Sequence, residues 1–200
     1  ISRGLVGSEM CIRDSLFTFK MSKKTGVLIV NLGTPDSPST SDVKRYLSEF
    51  LNDPRVIDIN PIGRKVLVNG IIVPTRGPKS AKEYKKLFKI GNGASPLLTY
   101  GKNLLKLVRK IGHKQFDVEL AMRYGNPSMN SILEKMRLAN YDQIIIFPLY
   151  PQYASATTGS IIEKAFKIIS KWWVIPEIKV IGQFYDCLLY TSDAADERSC

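Results

Sequence analysis

Three short stretches of this chain combine residue types that suit recognition of a flat, anionic ligand. Pro74-Thr75-Arg76-Gly77-Pro78-Lys79 sets two cations three positions apart. Arg76 and Lys79 there suit carboxylates through charge-assisted hydrogen bonds, or else belong to a solvated loop. Arg123-Tyr124-Gly125-Asn126-Pro127 places a cation beside an aromatic ring. Tyr150-Pro151-Gln152-Tyr153 follows an apolar run and leads into Ser155-Ala156-Thr157-Thr158-Gly159-Ser160. Its two tyrosines could stack on a flat ligand or sit as ordinary rim aromatics. The Thr157 to Ser160 turn could hold an anion on free backbone N–H groups and hydroxyls, or Ser155 or Thr157 could cap the helix that follows. It is not a P-loop, because the GxxxxGK[ST] spacing is absent.

These residues need elements to position them, and the hydrophobic pattern supplies a regular alternation. Gly26 to Leu32 reads as a first strand. Ser39 or Thr40 then caps a helix with Val43, Tyr46, Leu47, Phe50 and Leu51 on one stripe. Helical patterns follow over 61–73, 80–90 and 96–111, the second stopped by Gly91-Asn92-Gly93 and the last by Gly112. Phe116, Val118, Leu120 and Met122 alternate with polar residues as a second strand. A helix through Met129, Leu133 and Met136 leads to a third strand over 143–149, and a helix over 161–169 leads to a fourth over 178–184. Strands separated by helices imply right-handed crossovers: an α/β, Rossmann-like fold with a parallel four-stranded sheet flanked by helices. Ligands in such sheets sit beyond the carboxyl ends of the strands. The Asn31 to Pro35, Arg123 to Pro127 and Tyr150 to Tyr153 segments follow the first three strands and should form the walls of one cleft.

Composition narrows the class further. With 44% hydrophobic residues the chain can bury one good core, and no apolar run approaches the roughly 20 residues of a membrane span. The formal net charge of +11 and pI near 9.6 fit either an anionic partner or a solvated basic surface. No aromatic-interleaved basic stripe or zinc-finger spacing points to nucleic acid. Cys11, Cys187 and Cys200 form no disulfide framework and no CxxC metal site, so a reducing, cytoplasmic setting is the default. His113, the one histidine, follows Gly112 in a turn and reads as an exposed structural residue. Residues 1–20 and 187–200 break the periodic pattern and read as non-native ends around a domain spanning 21–186.

Five ordered motifs, VNLGTPD, NGIIVPTRGPKSAKEY, ASPLL, MRYGNPS and YPQYASATTGS, resemble the amino-terminal half of ferrochelatase, over about residues 21–186. The resemblance implies a chelatase fold of two similar α/β domains with a porphyrin held between them, and an enzyme, a lyase of heme biosynthesis, that inserts Fe²⁺ into that porphyrin. Fe²⁺ is then a substrate and no bound cofactor is expected. Carried over motif by motif, Arg76, Tyr84 and Ser95 are similar to porphyrin contacts, with Arg76 and Lys79 suiting the propionates. Leu32 matches a residue that packs on the macrocycle, while Arg123, Tyr124 and Tyr153 match inner-cleft positions. Val66, Leu67, Ile71 and Ile72 resemble a lip used for substrate entry or peripheral membrane contact, and on their apolar period alone read equally as a core helix. Ser155 stands where some ferrochelatases place an iron–sulfur cysteine.

The family's metal-handling histidine and acidic partner match positions downstream of Asp186. The expectation is therefore a porphyrin-binding half, without catalytic or metal-ligating residues of its own, whose partners are the porphyrin and the carboxyl-terminal domain of the same enzyme. Two other readings compete on the residues alone: a non-catalytic, flavodoxin-like module presenting Thr157 to Ser160 to an anion or phosphate, and a basic nucleic-acid-binding protein.

Overall fold

The computed structural model describes residues 23–112 and 115–186. The readings made for His113 and for the two ends fall outside the described residues. In chain order the elements are β1 (Thr25–Thr34), α1 (Thr40–Leu51), α2 (Pro61–Lys65), a π-helical segment (Val66–Ile72), α3 (Val73–Ile90), α4 (Pro96–Gly112), β2 (Asp117–Gly125), α5 (Met129–Leu138), β3 (Gln143–Pro148), a π-helical turn (Ser155–Gly159), α6 (Ser160–Ile169) and β4 (Glu177–Val180). The strands form one sheet in the order β2-β1-β3-β4, every pair parallel. The expected α/β architecture is therefore the observed one.

Strand alternation divides the core between the two faces of the sheet. Leu28, Val30, Ala121, Ile144 and Ile146 lie on one face, under Met129, Leu133 and Met136 of α5 and Ile161, Ala165 and Ile169 of α6. Ile29, Val118, Leu120 and Met122 lie on the other, packed by Leu98, Leu105 and Val108 of α4. Among the described residues the second face is only half sealed. Arg109, on the flank of α4 toward edge strand β2, donates to the Val118 carbonyl and pairs with Glu119. At about 100° per residue, Tyr100, Leu104, Leu107 and Ile111 fall on the opposite flank, and they are 72%, 36%, 61% and 79% exposed. On the same face of the sheet Ile145 and Phe147 of β3 are half-buried, and Phe184 turns edge-on to Phe147 at 5.2 Å.

The observed elements correct the sequence reading in three places. First, β1 runs on to Thr34, past Leu32, and β2 to Gly125, so Arg123 and Tyr124 lie within a strand instead of after it; β4, in contrast, is confined to Glu177–Val180. The long β1–β2 pairing depends on Gly33, whose φ of +115° few side chains tolerate, and where a Cβ would fall 1.8 Å from the Tyr124 carbonyl oxygen.

Second, the Pro-Thr-Arg-Gly-Pro-Lys stretch is no loop. It belongs to a helical run from Pro61 to Ile90, with Pro74 directly after the π-helical segment and Pro78 inside α3. Buried positions explain why the helix continues. Arg64, Val68, Val73, Gly77, Ala81 and Phe88 face inward, at steps of four or seven except for the step of five from Val68 to Val73. The π-helical hydrogen bond from Val73 N–H to the Val68 carbonyl spans that wider step. Gly77 lets α3 lie against α1, since a Cβ there would meet Lys44 Cγ at 2.5 Å.

Third, neither Ser155 nor Thr157 caps a helix. The turn begins with no side-chain cap; Ser155 Oγ instead accepts from Arg55, and Thr157 Oγ1 points back to the Ala154 carbonyl at 3.4 Å. Ser39, as expected, caps α1 by accepting from Asp42 N–H at 3.1 Å. No helix among the described residues is long and apolar enough to cross a membrane.

Candidate functional site

Beyond the carboxyl ends of β1, β2 and β3 the chain gathers a buried polar cluster. Asp53, two residues past the end of α1 and 6% exposed, is its hub. Its Oδ2 accepts from Tyr124 Oη at 2.8 Å, from Ser160 Oγ at 2.5 Å and from Arg123 Nη2, while its Oδ1 accepts from Arg55 N–H at 2.8 Å. Arg123 Nε donates to Ser160 Oγ at 2.7 Å, and the guanidinium lies 4.4 Å from the centroid of the Tyr124 ring. Burial alone would raise the Asp53 carboxyl, but the bonds from Ser160, Arg55 N–H, Tyr124 and Arg123 hold it below its ordinary value. Burial pushes the Tyr124 phenol up to about 12, so it remains a hydroxyl donor at neutral pH.

A second, partly exposed tier lies over this cluster. Arg55 pairs with Glu163, which also pairs with Lys167, and Arg55 Nη1 donates to Ser155 Oγ at 3.0 Å. Tyr153 is 56% exposed. Gly159 allows its approach, since a Cβ there would sit 3.0 Å from both Tyr153 Oη and Arg55 Nη1. The hydroxyls of the Thr157 to Ser160 turn face inward: Thr158 is fully buried and Ser160 is spent on Asp53 and Arg123. That orientation does not present them to a phosphate.

The structure thus brings Arg123, Tyr124 and Tyr153 together. Tyr84 joins them through a chain of rings, edge-on to Tyr46 at 6.1 Å, Tyr46 to Phe50 at 6.2 Å and Phe50 to Tyr124 at 5.1 Å, with Tyr46 Oη donating to the Gly33 carbonyl. Leu32 is half-buried in β1. Ser95 is buried at the start of α4, where its carbonyl accepts from Thr99 N–H and Oγ1. Arg76 and Lys79 stand apart, both exposed on α3 and separated by one helical turn. Asp53 escaped the sequence reading; the available signal was that a cation as deeply placed as Arg123 needs a carboxylate, and an acid follows α1 directly.

Two cavities lie at opposite ends of the sheet, the larger beside the amino ends of β3 and β4. One of about 490 Å³ is lined by Asp53, Arg123, Asn52, Lys65 and Lys164, and so opens onto the cluster. A larger one of about 780 Å³, lined by Met136, Tyr141, Ile144, Trp172 and Trp173, gathers none of the sequence-predicted site residues. Among the described residues no group of three or more His, Cys, Asp or Glu could hold a metal ion.

A parallel sheet covered by helices, with charged and aromatic side chains converging where its strands end, defines an α/β protein of the Rossmann-like class. The ferrochelatase family matches over residues 24–198, and the chain belongs to that family. Its curated relatives include ferrochelatases of Francisella tularensis: one from subsp. tularensis strain WY96-3418 is 44% identical over 164 residues, covering 82% of this chain and 49% of the relative. One from subsp. holarctica strain OSU18 is 45% identical with the same coverage, and one from strain FTNF002-00 / FTA is 46% identical, covering 82% of this chain and 48% of the relative. The chain spans about half the length of the curated relatives it matches.

Proposed function

We propose that this chain is the porphyrin-holding half of a ferrochelatase, an enzyme that inserts Fe²⁺ into a porphyrin to make heme. The observation that carries the reading is the convergence of Arg123, Tyr124 and Tyr153 at the strand exits of a ferrochelatase-family domain. Tyr153 offers an exposed ring to a flat macrocycle, and Arg76 and Lys79 offer exposed cations to its propionates. Tyr84 and Leu32 would line the same ligand, with Ser95 holding the start of α4. The exposed apolar side chains of the π-helical segment, Val66 and Ile71, with half-buried Leu67 and Ile72, suit a lip for porphyrin entry or for peripheral contact with a membrane.

Metallation requires a base for two pyrrole protons and a ligand that delivers Fe²⁺. Tyr124, with its phenol held protonated, and Asp53, saturated with donors, are poor candidates for either task. In this reading proton exchange and iron delivery fall to the carboxyl-terminal half of the enzyme, and this half binds and orients. Absorbance titration with protoporphyrin, followed by anaerobic addition of Fe²⁺, tests it. The expected outcome is saturable binding with no metalloporphyrin above the no-protein control. Absence of binding overturns the substrate assignment, and protein-dependent metallation overturns the division of labour.

A further inference from the structure

We propose that Asp53 is a positioning residue, which fixes the guanidinium of Arg123 so that a single nitrogen, Nη1, is presented to the ligand at the strand exits. The inference rests on the porphyrin reading for the identity of that ligand, but its geometry stands independently.

Arg123 has three nitrogens with which to donate. Nε is bound to Ser160, through Oγ at 2.7 Å and the carbonyl at 3.2 Å, and Nη2 is bound to Asp53. Nη1 makes no hydrogen bond with a described residue. The plane of the group is set as well, because it lies over the Tyr124 ring, and that ring is itself tethered through its hydroxyl to the same Asp53 oxygen. One carboxylate thereby fixes the cation, the ring beneath it and the serine beside it. These partners come from β2 and from the first residue of α6, 70, 71 and 107 positions away from Asp53 in sequence.

Asp53 is in turn held by its own loop. Its Oδ1 accepts from Arg55 N–H, and its carbonyl accepts from Val56 and Ile57 N–H at 3.0 Å each. A carboxylate on a flexible arm could neutralise Arg123 without orienting it; this one is buried, anchored at both ends and shared among three donors. Pre-organisation of this kind removes the cost of ordering a long side chain when the ligand arrives. Arg123 keeps only 12% of its side chain exposed, so a ligand meets it from one direction.

The test uses the whole chain and two independent readouts. In the ¹⁵N spectrum of the wild type, the Arg123 Nε–H should give a resolved signal protected from solvent exchange; a rapidly exchanging, averaged signal overturns the proposal whatever the ligand is. Protoporphyrin titration then reads the consequence. Asp53→Asn should lower affinity about tenfold or more, as should Arg123→Ala, and the double variant should bind no more weakly than either single one, because both remove the same contact. Additive losses overturn the proposal. Asp53→Glu keeps the charge but displaces it by one methylene, and it serves where Asp53→Asn does not fold: positioning requires a loss of at least fivefold, and affinity equal to wild type overturns the proposal. A wild-type chain that shows the protected Arg123 signal but no porphyrin binding sinks the porphyrin reading and leaves the positioning role standing.

Discussion

Single side chains carry most of the chemistry proposed for this chain, and they differ in how readily they can be tested. Arg76 is exposed, so its replacement disturbs little else. A charge-assisted hydrogen bond is worth roughly 1.5–3 kcal/mol, so Arg76→Ala should weaken protoporphyrin binding about tenfold or more while the melting temperature stays unchanged; titration and a thermal melt together check this. Tyr124→Phe removes a buried donor to a charged acceptor and should destabilise the fold by about 1.5–3 kcal/mol in urea titration. Asp53 also gives the molecule an acid limit. Its folded pKa lies below the unfolded value, so the stabilisation is present at neutral pH and is lost as pH falls below about 4 toward the folded value. Stability measured between pH 5 and 2.5 should fall more steeply for the wild type than for Asp53→Asn. The sequence made Arg123, Tyr124 and Tyr153 legible as neighbours, because each stands at or soon after the carboxyl end of an apolar strand. It could not show that Asp53 joins them, since that contact exists only once α1 has packed beneath β2.

At the scale of elements, the strands and most helices were readable because their apolar periods agree with their tertiary partners. The exception is Pro61 to Ile90, where Pro-Gly-Pro chemistry argued locally for a loop and the buried stripe argued for a helix. Packing won, at the expense of one irregularity: the step of five between Val68 and Val73. A π turn of this kind holds one residue more than the α-helix would. Deleting Gly70, which is exposed and has open space around it, should therefore let the run close as regular α-helix with Gly77, Ala81 and Phe88 still facing inward. The expected shift in Tm is less than about 4 °C, the equivalent of ~1 kcal/mol. Deleting Lys82 instead, inside α3, turns everything after it by about 100° and carries Phe88 out of the core. That variant should lose cooperative melting or melt far lower, and circular dichroism during heating distinguishes the two deletions.

For the molecule as a whole, the described residues cover the sheet with α5 and α6 on one face and with α4 over only part of the other. The sequence foretold helices on both sides but not this asymmetry, because periodicity reports how wide a helix's apolar surface is and not how much of it finds a partner. Among the described residues the outer flank of α4 is exposed and Ile145 and Phe147 of β3 are only half-buried. Apolar surface already in contact with water contributes nothing new to the heat capacity when the chain unfolds. Calorimetry of this chain should accordingly return a ΔCp per residue below the roughly 12–15 cal/mol/K usual for globular domains, and its stability curve against temperature should be correspondingly flat. A ΔCp within the usual range would mean that this face is covered in solution. The half-open sheet thus has a calorimetric signature, one that any partner able to seal it would raise toward the usual value.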